Sequence, residues 1–238
     1  MIANVNTEDI LFVDIETVPF VSAFEEMSES MQLLWEKKSK HFREPQQSPA
    51  DVYERAGIYA EFGKVICISA GYLTGKTFRL KSVFGDDEKS LLGEFGGMVA
   101  KWESRKDPYM CGHNVKEFDL PYVARRMIIN RIKIPGMLNS AGKKPWEVKH
   151  LDTMELWKFG EYKNFTSLAL LAEILEIPTP KSDIDGSMVA RVYWEEHDIN
   201  RIAAYCEKDV LTTARVLMRF MGREGIDDEN VESLTRFQ

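Results

Sequence analysis

Two acidic side chains at the end of a strand-like segment are the first candidates for chemistry. Asp14 and Glu16 follow the apolar run at residues 10–13. Because side chains two positions apart on a strand point to the same face, the two carboxylates are expected to lie side by side. Neighbouring carboxylates repel each other unless a proton, a hydrogen bond or a cation intervenes, and hard oxygen ligands suit Mg²⁺ or Mn²⁺. The pair favours a divalent-metal site; a solvent-facing acidic strand end is the alternative.

Two further acids occupy helix positions later in the chain. Asp119 is expected in the first turn of a helix, where an acid also compensates the helix dipole. Tyr205 and Asp209 are four residues apart, so they share one face of a predicted helix. Asp209 borders the apolar stripe of that helix, where an unpaired charge is costly, so an ion pair with a nearby Lys or Arg is its alternative role.

Taken together, the three segments resemble the three motifs of the DnaQ-like 3′→5′ exonucleases. The first motif is Asp-x-Glu on a strand, here Asp14 and Glu16. The second is Asn-x₃-Phe-Asp at a helix start, here Asn114–Asp119, and the third is Tyr-x₃-Asp on a late helix, here Tyr205–Asp209. The tyrosine is typical of the Asp-Glu-Asp-Asp-Tyr (DEDDy) branch, which includes the proofreading domain of family B DNA polymerases. The resemblance spans roughly residues 10–220. Within the branch, the chain is similar to the stand-alone relatives of that domain.

The resemblance implies an RNase H-like α/β fold, with a mixed central sheet flanked by helices, and an enzyme that uses two metal ions. In that family four acids hold two divalent cations, Mg²⁺ or Mn²⁺. By analogy Asp14 bridges both ions, while Glu16 and Asp209 help to hold the ion that activates water. Asp119 serves the ion on the leaving-group side, and Tyr205 orients the attacking water. The expected products are nucleoside 5′-monophosphates, released from the 3′ end of single-stranded nucleic acid.

Substrate-binding residues are expected beside the acids. Asn114 and Phe118 are expected to position the terminal nucleotide, the ring of Phe118 by stacking, and a core position for Phe118 is an equal alternative. Lys181 is expected to contact the substrate, with an ordinary surface lysine as the alternative. DNA is favoured over RNA by analogy alone. No polymerase domain is expected to follow residue 238.

The elements that must position these residues alternate between strands and helices, which indicates one mixed α/β domain over residues 1–238. Residues 20–61 are expected to form an insertion over the sheet edge, with a helix over 25–42 and a polar loop over 43–49 that gate substrate access. The remaining expectations are strands at 10–16, 64–70, 78–84, 109–112 and 150–152, helices at 88–102, 117–130, 165–176, 185–196 and 199–222, and a frayed C-terminus.

Composition excludes several other classes of protein. The 238 residues contain 31 Lys+Arg and 38 Asp+Glu, a net charge of −7, which argues against a nonspecific nucleic-acid coat. The sequence lacks a run of about 18 apolar residues, so no membrane span is expected. The widely spaced Cys67, Cys111 and Cys206 match no disulfide framework, and we expect a reducing, cytoplasmic setting. Local basic clusters at 37–40, 125–133 and 143–144 favour solvated faces over a phosphate track.

Two rival functions remain at the level of sequence. Gly71–Thr77 resembles a phosphate-binding loop of an NTPase, but it has three residues between its glycines where that motif has about four. A hairpin turn at Thr74–Lys76, with Gly75 supplying positive φ, is the favoured interpretation. The second rival is a non-catalytic nucleic-acid-binding protein on the same fold. Loss of a metal-ligand acid would favour that rival, and all four acids are present.

Overall fold

A mixed β-sheet forms the centre of the protein. The computed structural model describes residues 2–179 and 183–237, and within these ranges six strands pair in the order β5-β4-β1-β2-β3-β6. The strands are β1 (Ile10–Pro19), β2 (Gly63–Thr74), β3 (Thr77–Phe84), β4 (Tyr109–Gly112), β5 (Leu151–Asp152) and β6 (Val231–Ser233). β1 runs antiparallel to β2 and parallel to β4, so it is a central strand. The predicted RNase H-like mixed α/β arrangement is confirmed.

Helices cover both faces of this sheet. They are α1 (Glu29–Ser39), α2 (Glu88–Glu103), α3 (Asp119–Ile129), α4 (Thr153–Trp157), α5 (Leu168–Ile174), α6 (Val189–Arg191) and α7 (Ile199–Phe220). Leu11 and Val13 of β1 belong to the core cluster that contains residues of α2 and α3. Ile10 and Phe12 belong to the cluster built with α7. Because both faces of β1 are covered, the strand carries apolar residues at consecutive positions. Within the described ranges, none of the helices is long and apolar enough to cross a bilayer.

The long helix α7 follows its predicted apolar stripe. Asp198 caps the helix, since its side chain accepts a hydrogen bond from the backbone N–H of Arg201. Cys206, Val210 and Ala214 recur at helical spacing and have no exposed surface. Burial of this stripe against the sheet fixes the rotation of α7 about its axis. The rotation in turn determines the direction in which the polar side chains beside the stripe point.

Residues 20–61 form a small hydrophobic cluster of their own. The side chain of Ser28 caps α1, so the helix begins at Glu29 rather than at residue 25 and ends at Ser39 rather than at 42. Trp35 is fully buried in a cluster with Tyr53, and its indole N–H donates to the carbonyl of Pro49 at 2.8 Å. A 3₁₀ helix at Ala50–Ile58 then returns the chain to the end of β1.

Several other boundaries differ from the sequence-based predictions. The C-terminus is not frayed: β6 pairs in parallel with β3, and Ser233 Oγ donates to the carboxylate of Glu207 at 3.1 Å. The predicted helix over 185–196 is a short helix, α6, followed by a π-helical turn that ends at His197 with φ of 53°. The hairpin between β2 and β3 is confirmed, because Thr74 faces Thr77 and Gly75 has φ of +59°.

Candidate active site

The first two acids lie within β1, on the face covered by α7; the predicted strand end at residue 16 is wrong, because the strand continues to Pro19 along β2. Phe12 and Val18 pack into the clusters on that face, and the two-residue period of the strand places Asp14 and Glu16 between them. The Cα of Glu16 faces Cys67 on β2, and the register shifts directly after Glu16. Such a bulge bends the strand and increases its local twist. The two neighbouring carboxylates therefore lie where β1 is locally distorted.

The third acid reaches the same place because β4 is short. β4 pairs with β1 only as far as Phe12 and Cys111, so the next stretch of β1 lacks a strand partner on that side. The carboxylate of Asp119 accepts the backbone N–H of Ile15 at 3.2 Å. A buried N–H without a partner is costly, and this hydrogen bond satisfies it. It also holds the Asp119 side chain, at the start of α3, beside Ile15, which lies between Asp14 and Glu16.

A buried aspartate at the end of β5 holds the loop that precedes α3. Asp152 Oδ1 accepts the backbone N–H of Asn114 at 3.0 Å and that of Met154 at 3.0 Å, and Oδ2 accepts that of Lys116 at 3.0 Å. Asn114 has φ of 63°, a left-handed conformation that few residue types tolerate and that asparagine adopts more readily than most. Asp152 also caps α4, and its contacts extend to the loop of the second motif.

The fourth acid lies on α7 and is hydrogen-bonded to the tyrosine one turn before it. The Tyr205 hydroxyl donates to the carboxylate of Asp209, as their four-residue spacing predicts. Burial raises the pKa of Asp209 to about 6, while the bond from Tyr205 and the charge of Lys208 act in the opposite direction. Burial and then the charges of Asp209 and Glu16 raise the pKa of Tyr205 far above its ordinary value. Tyr205 therefore stays protonated and acts as a donor.

The charges of Asp119 and Asp209 act on both Asp14 and Glu16, so the four acids lie near one another. Burial, followed by the charges of Asp119 and Asp209, raises the pKa of Asp14 well above its ordinary value. Burial also raises the pKa of Glu16 well above its ordinary value, and the charges of Asp14 and Asp209 raise it further. Burial raises the pKa of Asp119 to about 7, and the charge of Asp152 contributes to that rise. Without a counterion, burial and mutual repulsion favour the protonated forms of these carboxylates, and a divalent cation is the natural replacement for those protons.

Cys206 contacts this cluster, a role that the sequence did not reveal. Its Sγ lies 3.4 Å from Asp14 Oδ2, and one ligand atom from each of Asp14, Glu16 and Cys206 lies within 4.8 Å of the others. Burial and a hydrogen bond with Cys67 raise the pKa of the Cys206 thiol well above its ordinary value. The thiol therefore donates a hydrogen bond to Asp14, and the oxygen atoms of the cluster are the donors that suit Mg²⁺ or Mn²⁺.

The predicted substrate-binding residues lie in different surroundings. Phe118 packs against the core beneath α3, with its ring centroid 5.5 Å from that of Tyr122, and keeps part of its surface exposed. Asn114 lines an open cavity of about 980 Å³, and the lining described for it includes none of the four acids. Lys181 lies outside the described residues. In the basic cluster at 125–133, Arg126 is buried and paired with Glu88 at 2.5 Å, so it belongs to the core and not to a phosphate track.

The sheet, the covering helices and the acid cluster together define a protein of the RNase H-like class. In agreement, the chain is similar to a family B DNA polymerase from the hyperthermophilic archaeon Pyrobaculum calidifontis, with a TM-score of 0.53 and 14% identity. The match covers 89% of this chain and 24% of the polymerase chain, so this protein corresponds to about a quarter of the polymerase's length. At this identity the likeness shows the fold.

The sequence gives a more specific assignment. Residues 58–236 match the model of a family described as predicted 3′-5′ exonucleases related to the exonuclease domain of PolB, and the chain belongs to this family. The matched range contains Asp119, Tyr205 and Asp209 and begins after Asp14 and Glu16. Membership implies a nucleic-acid substrate, and exonuclease domains of this kind usually use divalent metals. No curated protein sequence matches the chain significantly.

Proposed function

We propose that this protein removes nucleoside 5′-monophosphates one at a time from the 3′ end of single-stranded nucleic acid, with DNA favoured over RNA. The observation that carries the proposal is the convergence of four carboxylates from β1, α3 and α7 into one electrostatically coupled cluster. A structural role alone would not account for it, because mutual repulsion in a buried cluster destabilises the fold. The preference for DNA rests on the resemblance to polymerase exonuclease domains.

We infer that the cluster holds two divalent cations, Mg²⁺ or Mn²⁺. By the resemblance to the DnaQ-like exonucleases, Asp14 would bridge them, and its position among the other acids supports this role, because the charges of Asp119 and Asp209 raise its pKa. Glu16 and Asp209 are assigned to the ion on the water side, and Asp119 to the ion on the leaving-group side. When bound, such ions lower the pKa of water and neutralise charge that develops on the phosphate and on the departing 3′ oxygen.

The protein's own groups orient the reactants. The hydroxyl of Tyr205 donates to Asp209 in the structure, so a water molecule beside Asp209 is within reach of the same hydroxyl. Because the pKa of Tyr205 is raised far above neutrality, its role is to orient that water and not to deprotonate it. Asn114 and the exposed part of Phe118 are assigned to the terminal nucleotide.

The experiment that tests this function is digestion of a 5′-labelled single strand with either a free or a blocked 3′ hydroxyl. We expect the free strand to shorten progressively from its 3′ end in Mg²⁺ or Mn²⁺, and the blocked strand and the chelator-treated reaction to remain intact. Asp14→Asn, purified identically, controls for contaminating nucleases. Equal digestion of the blocked strand, or full activity in Asp14→Asn, would refute the assignment. Parallel DNA and RNA strands decide the substrate preference.

A further inference from the structure

Exposed aromatic rings are concentrated in one short segment of the surface. Among the described residues, five aromatic side chains are strongly exposed, and four of them lie between residues 146 and 165. They are Trp146 (78% exposed), Phe159 (89%), Tyr162 (89%) and Phe165 (67%), whereas Phe237 (48%) lies at the C-terminus. We name the first four the aromatic platform. A single exposed ring is ordinary, but a group of rings left in water marks an interaction site.

The backbone of this segment holds a ring outward at an energetic cost. Phe159 has φ of 44°, in the left-handed region that bulky residues rarely adopt, and Gly160 follows with φ of 91°. Strain of this kind persists where the surrounding structure enforces it, and it is found most often at functional sites. Packing does not offset the strain here, because the Phe159 side chain remains almost fully exposed.

Lysines accompany the rings. Lys143, Lys144, Lys158 and Lys163 lie in the same segment, and none of them forms an ion pair with a carboxylate of the described residues. The Nζ of Lys144 lies 5.2 Å from the ring centroid of Trp146. Glu147, Glu155 and Glu161 lie in the same stretch, and Glu155 pairs with Lys116. Rings beside lysines that are not ion-paired favour a ligand that stacks on the rings and carries phosphates for the lysines.

The platform adjoins the loop that leads to the acid cluster. Trp146, Tyr162 and Lys158 line the open cavity of about 980 Å³, and its lining also includes Asn114 of the second motif. Within the described residues, the four acids lie outside this cavity. The cavity therefore leads from the platform to the predicted site of the terminal nucleotide without being part of the metal cluster.

We propose that the aromatic platform and its lysines bind single-stranded nucleic acid upstream of the 3′ end. The bases stack on the exposed rings, and the lysines contact the phosphates. This inference rests on the proposed exonuclease function for the direction of the strand. Stacking on aromatic rings tolerates any base, which suits an enzyme that must move along a strand of any sequence. The platform raises affinity for strands long enough to reach it, and a short strand bound only at the acids gains nothing from it.

The test compares strands of about 15 and about 4 nucleotides, lengths that bracket common single-strand site sizes. Binding of 5′-fluorescein-labelled oligodeoxythymidylates is measured by anisotropy in EDTA, where hydrolysis does not interfere. The wild type is compared with the platform variant Trp146→Ala/Phe159→Ala/Tyr162→Ala. The matched control is Ile128→Ala/Ile129→Ala, because these side chains are also exposed but lie at the far end of α3. Circular dichroism confirms that each variant is folded.

We expect the platform variant to lose roughly tenfold or more in affinity for the long strand relative to the short one, and the control to retain the wild-type ratio. Tryptophan fluorescence should be quenched when the long strand binds to the wild type, and less so in the platform variant, which lacks Trp146. An unchanged ratio in the platform variant would overturn the proposal. The proposal would also be overturned if the wild type self-associated with rising concentration and the platform variant lost this self-association without any change in strand binding. The surface would then be a contact between protein chains. If the wild type binds through the platform yet hydrolyses neither strand in Mg²⁺ or Mn²⁺, the platform stands and the proposed exonuclease function fails.

Discussion

Tyr205→Phe removes one hydroxyl group from the candidate active site and leaves the ring in place. In the structure that hydroxyl donates to Asp209, and Tyr205 is only partly buried. A hydrogen bond to a charged group contributes about 1.5–3 kcal/mol when it is buried, and much less where water can replace it. We therefore expect the free energy of unfolding to change by less than about 1 kcal/mol.

The effect on hydrolysis should be larger. If the hydroxyl orients the attacking water by one hydrogen bond, its loss removes about 1–3 kcal/mol of transition-state stabilisation, or roughly 10–100-fold in rate. A second effect follows from Asp209, whose pKa is held down by the bond from Tyr205. In Tyr205→Phe that pKa should rise above its present value of about 6, so protons compete better with the divalent cation. The metal concentration needed for half-maximal rate should then rise more at pH 6 than at pH 8.

The assay is single-turnover hydrolysis of a 3′-hydroxyl strand, measured against pH and Mg²⁺ concentration, with the melting temperature recorded in parallel. Tyr193→Phe is the matched control, because the Tyr193 hydroxyl donates to Asp86 at 2.5 Å outside the acid cluster. A catalytic base would instead lose the rising limb of the pH–rate profile, and a purely structural tyrosine would lose stability without loss of rate in the folded fraction. A wild-type rate in Tyr205→Phe would refute the role assigned here.

Three further predictions concern the acids, the loop before α3 and the insertion. Asp119 and Asp209 have pKa values raised to about 7 and about 6, so between about pH 4 and pH 7 the folded state binds more protons than the unfolded state. The free energy of unfolding of the metal-free protein should therefore fall as pH rises through this range. Mg²⁺ should stabilise the protein more at pH 8 than at pH 5.5. Thermal melts of Asp14→Asn should show a weaker pH dependence than those of the wild type. Asp152→Asn should lower stability by about 1–3 kcal/mol, measured in urea, because its charge supports several backbone N–H groups, and the single-turnover rate should fall with it. Shortening the polar loop at 43–49 should change the affinity for long strands, measured by anisotropy, while metal dependence survives.

Each of these predictions has an outcome that contradicts it. An identical pH dependence in Asp14→Asn and the wild type would mean that the acids do not interact as described. Wild-type stability in Asp152→Asn would show that water replaces its contacts without loss. Unchanged affinity after shortening of the 43–49 loop would remove the gating role, and loss of folding would place that loop in the core, next to buried Trp35.

Local spacing explains why much of the site could be predicted from the sequence. The two-residue period placed Asp14 beside Glu16, and the four-residue period joined Tyr205 to Asp209. The hydrogen bond from Ile15 to Asp119 spans 104 residues, and no local pattern encodes it. It depends on where β4 ends, which is a property of the assembled sheet.

Other features were missed for equally physical reasons. β6 is three residues long and lies at the sheet edge, so its sequence carries no hydrophobic alternation strong enough to distinguish it from a frayed end. Cys206 follows the apolar stripe of α7, and its contact with Asp14 depends on how that helix is rotated against β1. The start of α1 was misplaced by four residues because the capping role of Ser28 was not recognised.

If the four carboxylates from β1, α3 and α7 hold divalent cations together, the number of Mn²⁺ ions bound per chain will reveal it. Electron paramagnetic resonance of free Mn²⁺ gives this number for the wild type, for Asp14→Asn and for Glu94→Gln, which removes a carboxylate that pairs with Lys81 on the surface. We expect about two saturable ions in the wild type and in Glu94→Gln, and loss of this binding in Asp14→Asn. Undiminished Mn²⁺ binding by Asp14→Asn would contradict this expectation.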